Sequence, residues 1–352
     1  MYDTIVIGGG QSALATAYFL RREGLEYLLL DKQPAAGGAW QQYWESLRLF
    51  SPADASSLPG WLMPRSEHTY PSRNEVVSYL QQYEERYKIP VERPVQVTAV
   101  HQEGAHFLVQ ADQEAYQAKT IVSATGSFQN PYIPPYPGRE LFRGVQIHAA
   151  AYQNPEPFRD KKVLVVGGGN SGAQILAELS KTAHTTWVTE NEPSFLPDDV
   201  DGRYLFSIAS KIWEAKKRGE TFVPRGSLGD IVLVEPVKEA RERGALLARR
   251  PFNNFTEEGV RWPDGTTEYV DAVIWCTGYR PALEHLAPLA VLEADGKVLT
   301  RGTRSQKVNG LWLVGYGSWT GFASATLIGV GRSSRQTAAE IKKYLQQDSH
   351  KN

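Results

Sequence analysis

The chain has 352 residues, with 38 Lys and Arg against 39 Asp and Glu for a net charge of −1, and one cysteine, Cys276. That length supports two or three domains with full cores, and the near-zero charge offers no field for nucleic acid or an anionic membrane. A single cysteine excludes intrachain disulfides, a redox-active cysteine pair and a cysteine-rich metal site, and no metal site is expected elsewhere.

The first element is a short β-branched strand, Thr4-Ile5-Val6-Ile7, of the kind buried on both faces. Because the chain is in a strand by Thr4 and has no apolar run of spanning length, neither a signal peptide nor a membrane anchor is expected, and a cytoplasmic location fits. Gly8-Gly9-Gly10-Gln11-Ser12-Ala13 follows. Residues 11–22 then place Leu14, Ala17, Tyr18 and Leu20 roughly on one helical face, and Gly24 stands after the likely stop. A second buried strand, 27–30, closes at Asp31. Residues 33–72 are rich in Pro, Gly, Ser and Trp without a sustained period, and their tryptophans argue for order and function. The pattern predicts a helix over 75–87, strands over 95–100 and 106–110, and a strand running into a glycine turn over 121–126. Prolines 131, 134, 135 and 137 mark a stiff crossing, with a domain boundary placed at 145–158.

The opening unit then recurs. Val163-Leu164-Val165-Val166 leads into Gly167-Gly168-Gly169-Asn170-Ser171-Gly172, and a strand closes at Glu190. The acid lies 23 positions after the first glycine in both copies, 8 to 31 and 167 to 190. Residues 207–219 read as a polar helix. Residues 270–278 repeat the strand-into-glycine pattern of 121–126, residues 311–314 form a strand, 315–321 a loop and 324–345 a long helix.

One glycine loop is a weak signal, whereas two in register, each in strand–loop–helix–strand context, imply two dinucleotides on one polypeptide. The turn is tight, the backbone must approach a pyrophosphate, and the helix N-terminus offers free N–H groups to that anion. The predicted class is α/β, with two Rossmann-like, doubly wound domains, the nicotinamide domain (146–282) inserted into an FAD domain made of 1–145 and 283–352. The FAD set is Gly8, Gly10, Gln11, Ser12, Ala13, Asp31, Lys32, Gly38, Trp40, Val97, Thr125, Gly126, Gly317 and Ser318. The NAD(P)H set is Gly167, Gly169, Asn170, Ser171, Gly172, Glu190, Asn191, Thr277 and Gly278. Assigning FAD to the first loop rests on Gly37-Gly38-Ala39-Trp40, a second close-backbone element, and on the C-terminal glycine loop, which suit a large, tightly held ligand.

Between the loops stands Phe142-Arg143-Gly144-Val145-Gln146-Ile147-His148-Ala149-Ala150-Ala151-Tyr152. It resembles the FxGxxxHxxx(Y/F) fingerprint of the flavin-containing monooxygenases, within the class B flavoprotein monooxygenases, and the Gly-Gly-x-Trp segment and both Thr-Gly turns are similar to family elements. Tyr152-Gln153 resembles the flavin-containing rather than the Baeyer–Villiger branch. The resemblance covers essentially the whole chain. It implies hydride transfer from a nicotinamide to FAD, reaction with O2 to a hydroperoxyflavin, and oxygen transfer to a soft nucleophile such as a sulfide. His148 is then a linker residue rather than a proton carrier.

Three departures from the family matter. Phe50 falls where the family often has an asparagine beside the flavin, which puts coupling of oxidation to oxygenation in doubt. Thr189-Glu190-Asn191-Glu192 stands where NADPH users place arginine or a hydroxyl with a base. A carboxylate repels a 2′-phosphate and accepts bonds from a free hydroxyl, so NADH is expected to serve at least as well as NADPH, as in the small bacterial members that accept either. Ser318 replaces an aspartate that bonds the ribityl chain, so weaker FAD retention is expected. Two rivals stay open: an NADH-dependent flavin reductase or oxidase that releases hydrogen peroxide, and a non-enzymatic dinucleotide sensor. The expected partners are a small-molecule substrate and O2, and a homodimer is the base-rate assembly.

Overall fold

The computed structural model describes residues 1–348 apart from 113, 199, 201–202, 205–207, 209–210, 212–214, 216–217 and 222–229. The chain divides into two compact units. The first comprises Met1–Gln41, Pro52–Asn130 and the stretch from Arg280 onward; the second comprises Gln42–Ser51 and Pro131–Tyr279.

In chain order, β1 (Tyr2–Ile7), α1 (Gln11–Arg22), β2 (Tyr27–Leu30), α2 (Arg73–Tyr87), β3 (Val91–Glu92), β4 (Val97–Glu103), β5 (His106–Ala111) and β6 (Ala115–Ser123) belong to the first unit. The second holds β7 (Val145–His148), β8 (Lys162–Val166), α3 (Asn170–Leu179), β9 (His184–Val188), α4 (Glu235–Glu242), β10 (Ala248–Arg249), β11 (Asn254–Phe255), β12 (Gly259–Arg261), β13 (Thr267–Tyr269) and β14 (Ala272–Trp275). The chain then returns with β15 (Thr300–Arg301), β16 (Arg304–Ser305), β17 (Leu311–Leu313) and α5 (Val330–Asp348).

The first sheet runs β15-β16-β17-β6-β1-β2-β3, with the β4–β5 hairpin joined to β6. Its centre is parallel: β1 pairs with β2 (Ile5 beside Leu28) and with β6 (Ile5 beside Ile121). Ile5, Leu28, Ile121 and Leu311 are almost wholly buried in one core, as strands covered on both faces require. The second unit repeats the plan in the order β10-β9-β8-β14-β7, all parallel, with a small antiparallel sheet β11-β12-β13 beside it. Leu164, Val166, Val188, Val273 and Trp275 fill its core.

The unit boundaries differ from the sequence expectation. The chain crosses at 130/131 and 279/280, not at 145 and 282. The reason is local pairing immediately after each Thr-Gly turn. The Arg280 N–H donates to the Asn130 carbonyl at 2.9 Å and the Tyr132 N–H to the Gly278 carbonyl at 2.9 Å. β7 is the edge strand of the second sheet, with Val145 beside Ala272, so the second unit is well under way by 145. Segment 42–51 also packs with the second unit, which no periodicity signalled. α2 is two residues longer at its start than predicted, because Ser72 and Glu75 form a capping box. The last helix begins at Val330 rather than 324. Ala323 sits in the left-handed region (φ 54°), and the Gly329 N–H donates to Thr326 Oγ1 at 3.0 Å, so 321–329 is a chain of turns. The predicted polar helix over 207–219 lies largely outside the described residues.

Candidate functional site

Each unit builds the same cradle. In the first, Gly8 has φ 119°, and a Cβ there would lie 2.5 Å from the Ala124 carbonyl oxygen. In the second, Gly167 has φ 131°, and a Cβ would lie 2.2 Å from the Cys276 carbonyl oxygen. Ala124 and Cys276 stand two residues before the glycines of the Thr125-Gly126 and Thr277-Gly278 turns, so the later strand walls each loop. Thr125 Oγ1 donates to the Ala282 carbonyl and Thr277 Oγ1 to the Tyr132 carbonyl, both at 2.6 Å. α1 and α3 start at Gly10 and Gly169 with no side-chain cap and no acidic residue in the first turn. Their leading N–H groups are therefore available to an anion, which at a helix N-terminus gains about 0.3–1 kcal/mol, and up to ~2 kcal/mol when partly buried.

The first cradle is closed by a second backbone. A Cβ on Gly38 (φ 55°) would sit 2.7 Å from Gly10 Cα, so the 37–38 turn touches the loop directly. Gln11 ties this together: its Oε1 accepts from Trp40 Nε1 at 2.8 Å and its Nε2 donates to the Ala325 carbonyl at 2.6 Å. Asp31 lies over the loop, with its Oδ2 2.1 Å from where a Gly9 Cβ would be. It is 3% exposed. It accepts from the Gln33 N–H at 3.1 Å and from Arg93 Nε at 3.2 Å. Burial pushes its carboxyl up, against the pull of the Gln33 N–H and the Arg93 guanidinium. Arg93 forks its other two nitrogens onto Glu84, at 2.6 and 2.8 Å.

The remaining first-unit residues are less uniform. Ser12 and Ala13 are buried. Lys32 and Ser318 are exposed, and Val97 is half-buried where β4 joins the core. Gly317 (φ 81°) accepts from Ser324 Oγ through its carbonyl at 2.8 Å. Tyr316 is buried in the core of the first unit. Its hydroxyl lies 2.6 Å from Ser123 Oγ and 2.8 Å from Thr125 Oγ1, and Ser123 Oγ lies 3.1 Å from His285 Nε2. Burial pushes the Tyr316 phenol up and pulls His285 down to about 4.

In the second cradle Asn170 Oδ1 accepts from the Val232 N–H at 2.9 Å, and Ser171 is half-buried. Glu190 and Asn191 are exposed at the end of β9. The fingerprint residues all belong to this unit, and each has a packing reason. Phe142 lies in the core on Phe255, 5.3 Å between rings. Gly144 has no room for a Cβ, which would meet the Phe142 ring at 2.2 Å and the Asp271 carbonyl at 2.7 Å. Tyr152 is fully buried and donates to Glu178 on α3 at 3.0 Å. His148 Nε2 donates to the Gly278 carbonyl at 3.0 Å, while Nδ1 accepts from the Ala150 N–H at 3.1 Å. Burial holds the ring below its usual range despite the Gly278 bond. Both nitrogens are engaged and the ring is neutral, so His148 is a joint between β7 and the Gly278 turn and has no nitrogen left for proton transfer. Phe50 is half-buried in the 42–51 segment.

Sequence reading missed Arg93, 62 positions from Asp31, and Arg250, whose guanidinium donates to the Glu190 carbonyl across 60 positions. Neither carries a local signal; only the Arg249-Arg250 doublet before Pro251 is visible in the chain.

Residues 5–315 match the family described as pyridine nucleotide-disulphide oxidoreductase. A flavin-containing monooxygenase from Stenotrophomonas maltophilia is 48% identical, covering 98% of this chain and 99% of its own, with a TM-score of 0.90. The chain belongs to this family, in its flavin-containing monooxygenase branch. The oxidoreductase CzcO of Bacillus subtilis is 33% identical over 97% of this chain and 99% of its own length, and the indole-3-pyruvate monooxygenase YUCCA1 of rice is 28% identical over 96% and 90%. The protein is thus an NAD(P)H-dependent flavin oxidoreductase with FAD-dependent monooxygenase activity, and not a dinucleotide sensor. Despite the family's name, this monooxygenase has no cysteine pair: burial pushes its one thiol, Cys276, up to about 12. The two glycine cradles fit FAD and NAD(P)H. Among the described residues no group of three potential metal ligands occurs, and no helix is long and apolar enough to cross a membrane.

Proposed function

We propose that this monooxygenase oxygenates soft nucleophiles, sulfides to sulfoxides foremost, and draws on NADH at least as readily as on NADPH. FAD, held by the first cradle, supplies the redox and oxygen-transfer chemistry when bound. The chain's own work is to bind, orient and exclude water. Gly8–Ala13 and the Gly38 turn receive one pyrophosphate, and Gly167–Gly172 the other. Asp31 and Glu190 accept from ribose hydroxyls. No side-chain acid or base is required, which agrees with a neutral His148 held at both nitrogens. The reading extends to a cytoplasmic homodimer acting on a small molecule and O2.

The observation that carries the cofactor preference is Glu190, exposed at the end of β9 one residue beyond buried Thr189. A carboxylate there opposes a 2′-phosphate by about 1–2 kcal/mol, roughly five- to thirtyfold in affinity. Glu190→Arg should raise the NADPH over NADH preference by about that factor in steady-state kinetics; an unchanged ratio refutes the charge argument. Oxygenation is tested by counting sulfoxide formed per NADH consumed with a simple aryl methyl sulfide.

A second reading, an NADH-dependent reductase or oxidase that releases hydrogen peroxide, is favoured by one residue. Phe50 offers no amide hydrogen where the family often has an asparagine. NADH turnover that yields peroxide and no sulfoxide would establish it. Phe50→Asn should then raise the sulfoxide yield.

A further inference from the structure

The second cradle carries a cation as well as an acid at the position where a dinucleotide's adenosine ribose is read. β10 runs parallel beside β9, with Arg249 in register with Val188, and the Thr189 N–H donates to the Arg249 carbonyl at 3.0 Å. This brings the Arg249-Arg250 doublet to the end of β9, two residues before Glu190. Consecutive side chains of an extended segment point to opposite sides, and the two arginines divide accordingly. Arg249 is taken up elsewhere: its guanidinium lies 3.4 Å from the Trp262 ring centre and 3.1 Å from Glu268 Oε2. Arg250 turns the other way, and its Nη1 donates to the Glu190 backbone carbonyl. A planar guanidinium is thereby anchored on the Glu190 backbone, at an exposed position of the second unit.

We propose that Arg250 is the 2′-phosphate-reading residue of this enzyme, so that Glu190 receives the ribose hydroxyl of NADH and Arg250 the phosphate of NADPH in one site. The proposal deepens, and rests on, the reading that both cofactors are accepted. A guanidinium binds phosphate oxygens through paired, charge-assisted hydrogen bonds. It offsets the repulsion from Glu190 only when the phosphate is present, so it discriminates between the two cofactors instead of strengthening both. Arg250 lies outside the loop that usually carries such a residue, on the neighbouring strand, and is exposed, so its replacement leaves the core intact.

The test is direct binding to the oxidised, FAD-loaded enzyme, by titration calorimetry with NADP+, NAD+, 2′,5′-ADP and 5′-AMP. Arg250→Ala should weaken NADP+ and 2′,5′-ADP at least about tenfold and NAD+ and 5′-AMP less than about twofold. Arg250→Lys should recover part of the loss, and the gap between wild type and Arg250→Ala in 2′,5′-ADP affinity should shrink with added salt. Equal weakening of all four ligands, or no change in any, overturns the role of Arg250. Wild-type enzyme that binds NAD+ but no NADP+ overturns the dual-cofactor reading itself, and the proposal with it.

Discussion

Ala13 in the first loop and Gly172 in the second occupy the same place, five residues after the loop's first glycine, 8 to 13 and 167 to 172. The first unit buries the alanine completely. In the second, a Cβ on Gly172 would lie 2.2 Å from the Gly167 carbonyl oxygen. That carbonyl accepts from Trp187 Nε1 at 2.8 Å. Trp187 stands 20 residues after Gly167, and the equivalent place after Gly8 is Leu28, which has no donor. A neighbouring side chain that anchors the loop carbonyl, and not the ligand, thus accounts for the glycine in one copy where the other takes alanine. The acids differ in the same spirit. Asp31 is buried and bonded to Arg93, a geometry suited to a ligand that stays. Glu190 is exposed, a geometry suited to one that comes and goes.

The strongest attack on this comparison is Gly172→Ala. It should weaken NAD(P)H binding by about 3 kcal/mol, over a hundredfold, while FAD remains bound. Adding Trp187→Phe, which releases the Gly167 carbonyl, should restore part of the loss; titration of NADH fluorescence reads both, and a harmless Gly172→Ala would dismiss the steric account.

Acid should separate the units next. The folded first unit keeps His285 neutral, its pKa pulled down to about 4 by burial, whereas the unfolded chain takes up a proton near 6.5. Stability is therefore lost as pH falls from 6.5 towards 4, by up to about 3 kcal/mol from this group. His285→Asn should flatten that slope in urea melts across the range; an unchanged slope would assign the acid response elsewhere, with His148 in the second unit shifted in the same direction.

Arg93→Ala removes the cation beside a buried carboxylate. It should loosen FAD by about 2 kcal/mol, roughly thirtyfold, because Asp31 is left buried with its charge uncompensated. Equilibrium dialysis of FAD measures this, and NAD+ affinity should stay put. The smallest effect is expected for Ala13→Gly, about 0.5–1 kcal/mol from backbone freedom in α1. A melting-temperature loss well beyond that would mean the methyl group has a packing role of its own.

The repeated strand, loop, helix and strand were legible because they depend on short-range chemistry. Apolar runs mark buried strands, glycines mark the loops, and the spacing from 8 to 31 and from 167 to 190 follows from the length of one crossover. The fingerprint from Phe142 to Tyr152 was legible as a pattern but not as a mechanism. Only the fold shows that Phe142 fills a core, that His148 bonds both the Gly278 turn and its own backbone, and that Tyr152 reaches α3. The chain passes into the second unit at 130/131, where the proline run begins, and Tyr132 already pairs with the Gly278 turn.

Local sequence determined that this protein folds around two glycine cradles and handles two dinucleotides, since tight turns, helix starts and strand lengths are set by neighbours in the chain. Tertiary structure alone decided which cations stand beside the cradles' acids. Arg93 and Arg250 reach Asp31 and Glu190 across 62 and 60 positions. Hydrogen bonds depend on distance in space, and only the pairing of β2 with β3 and of β9 with β10 turns those separations along the chain into contacts.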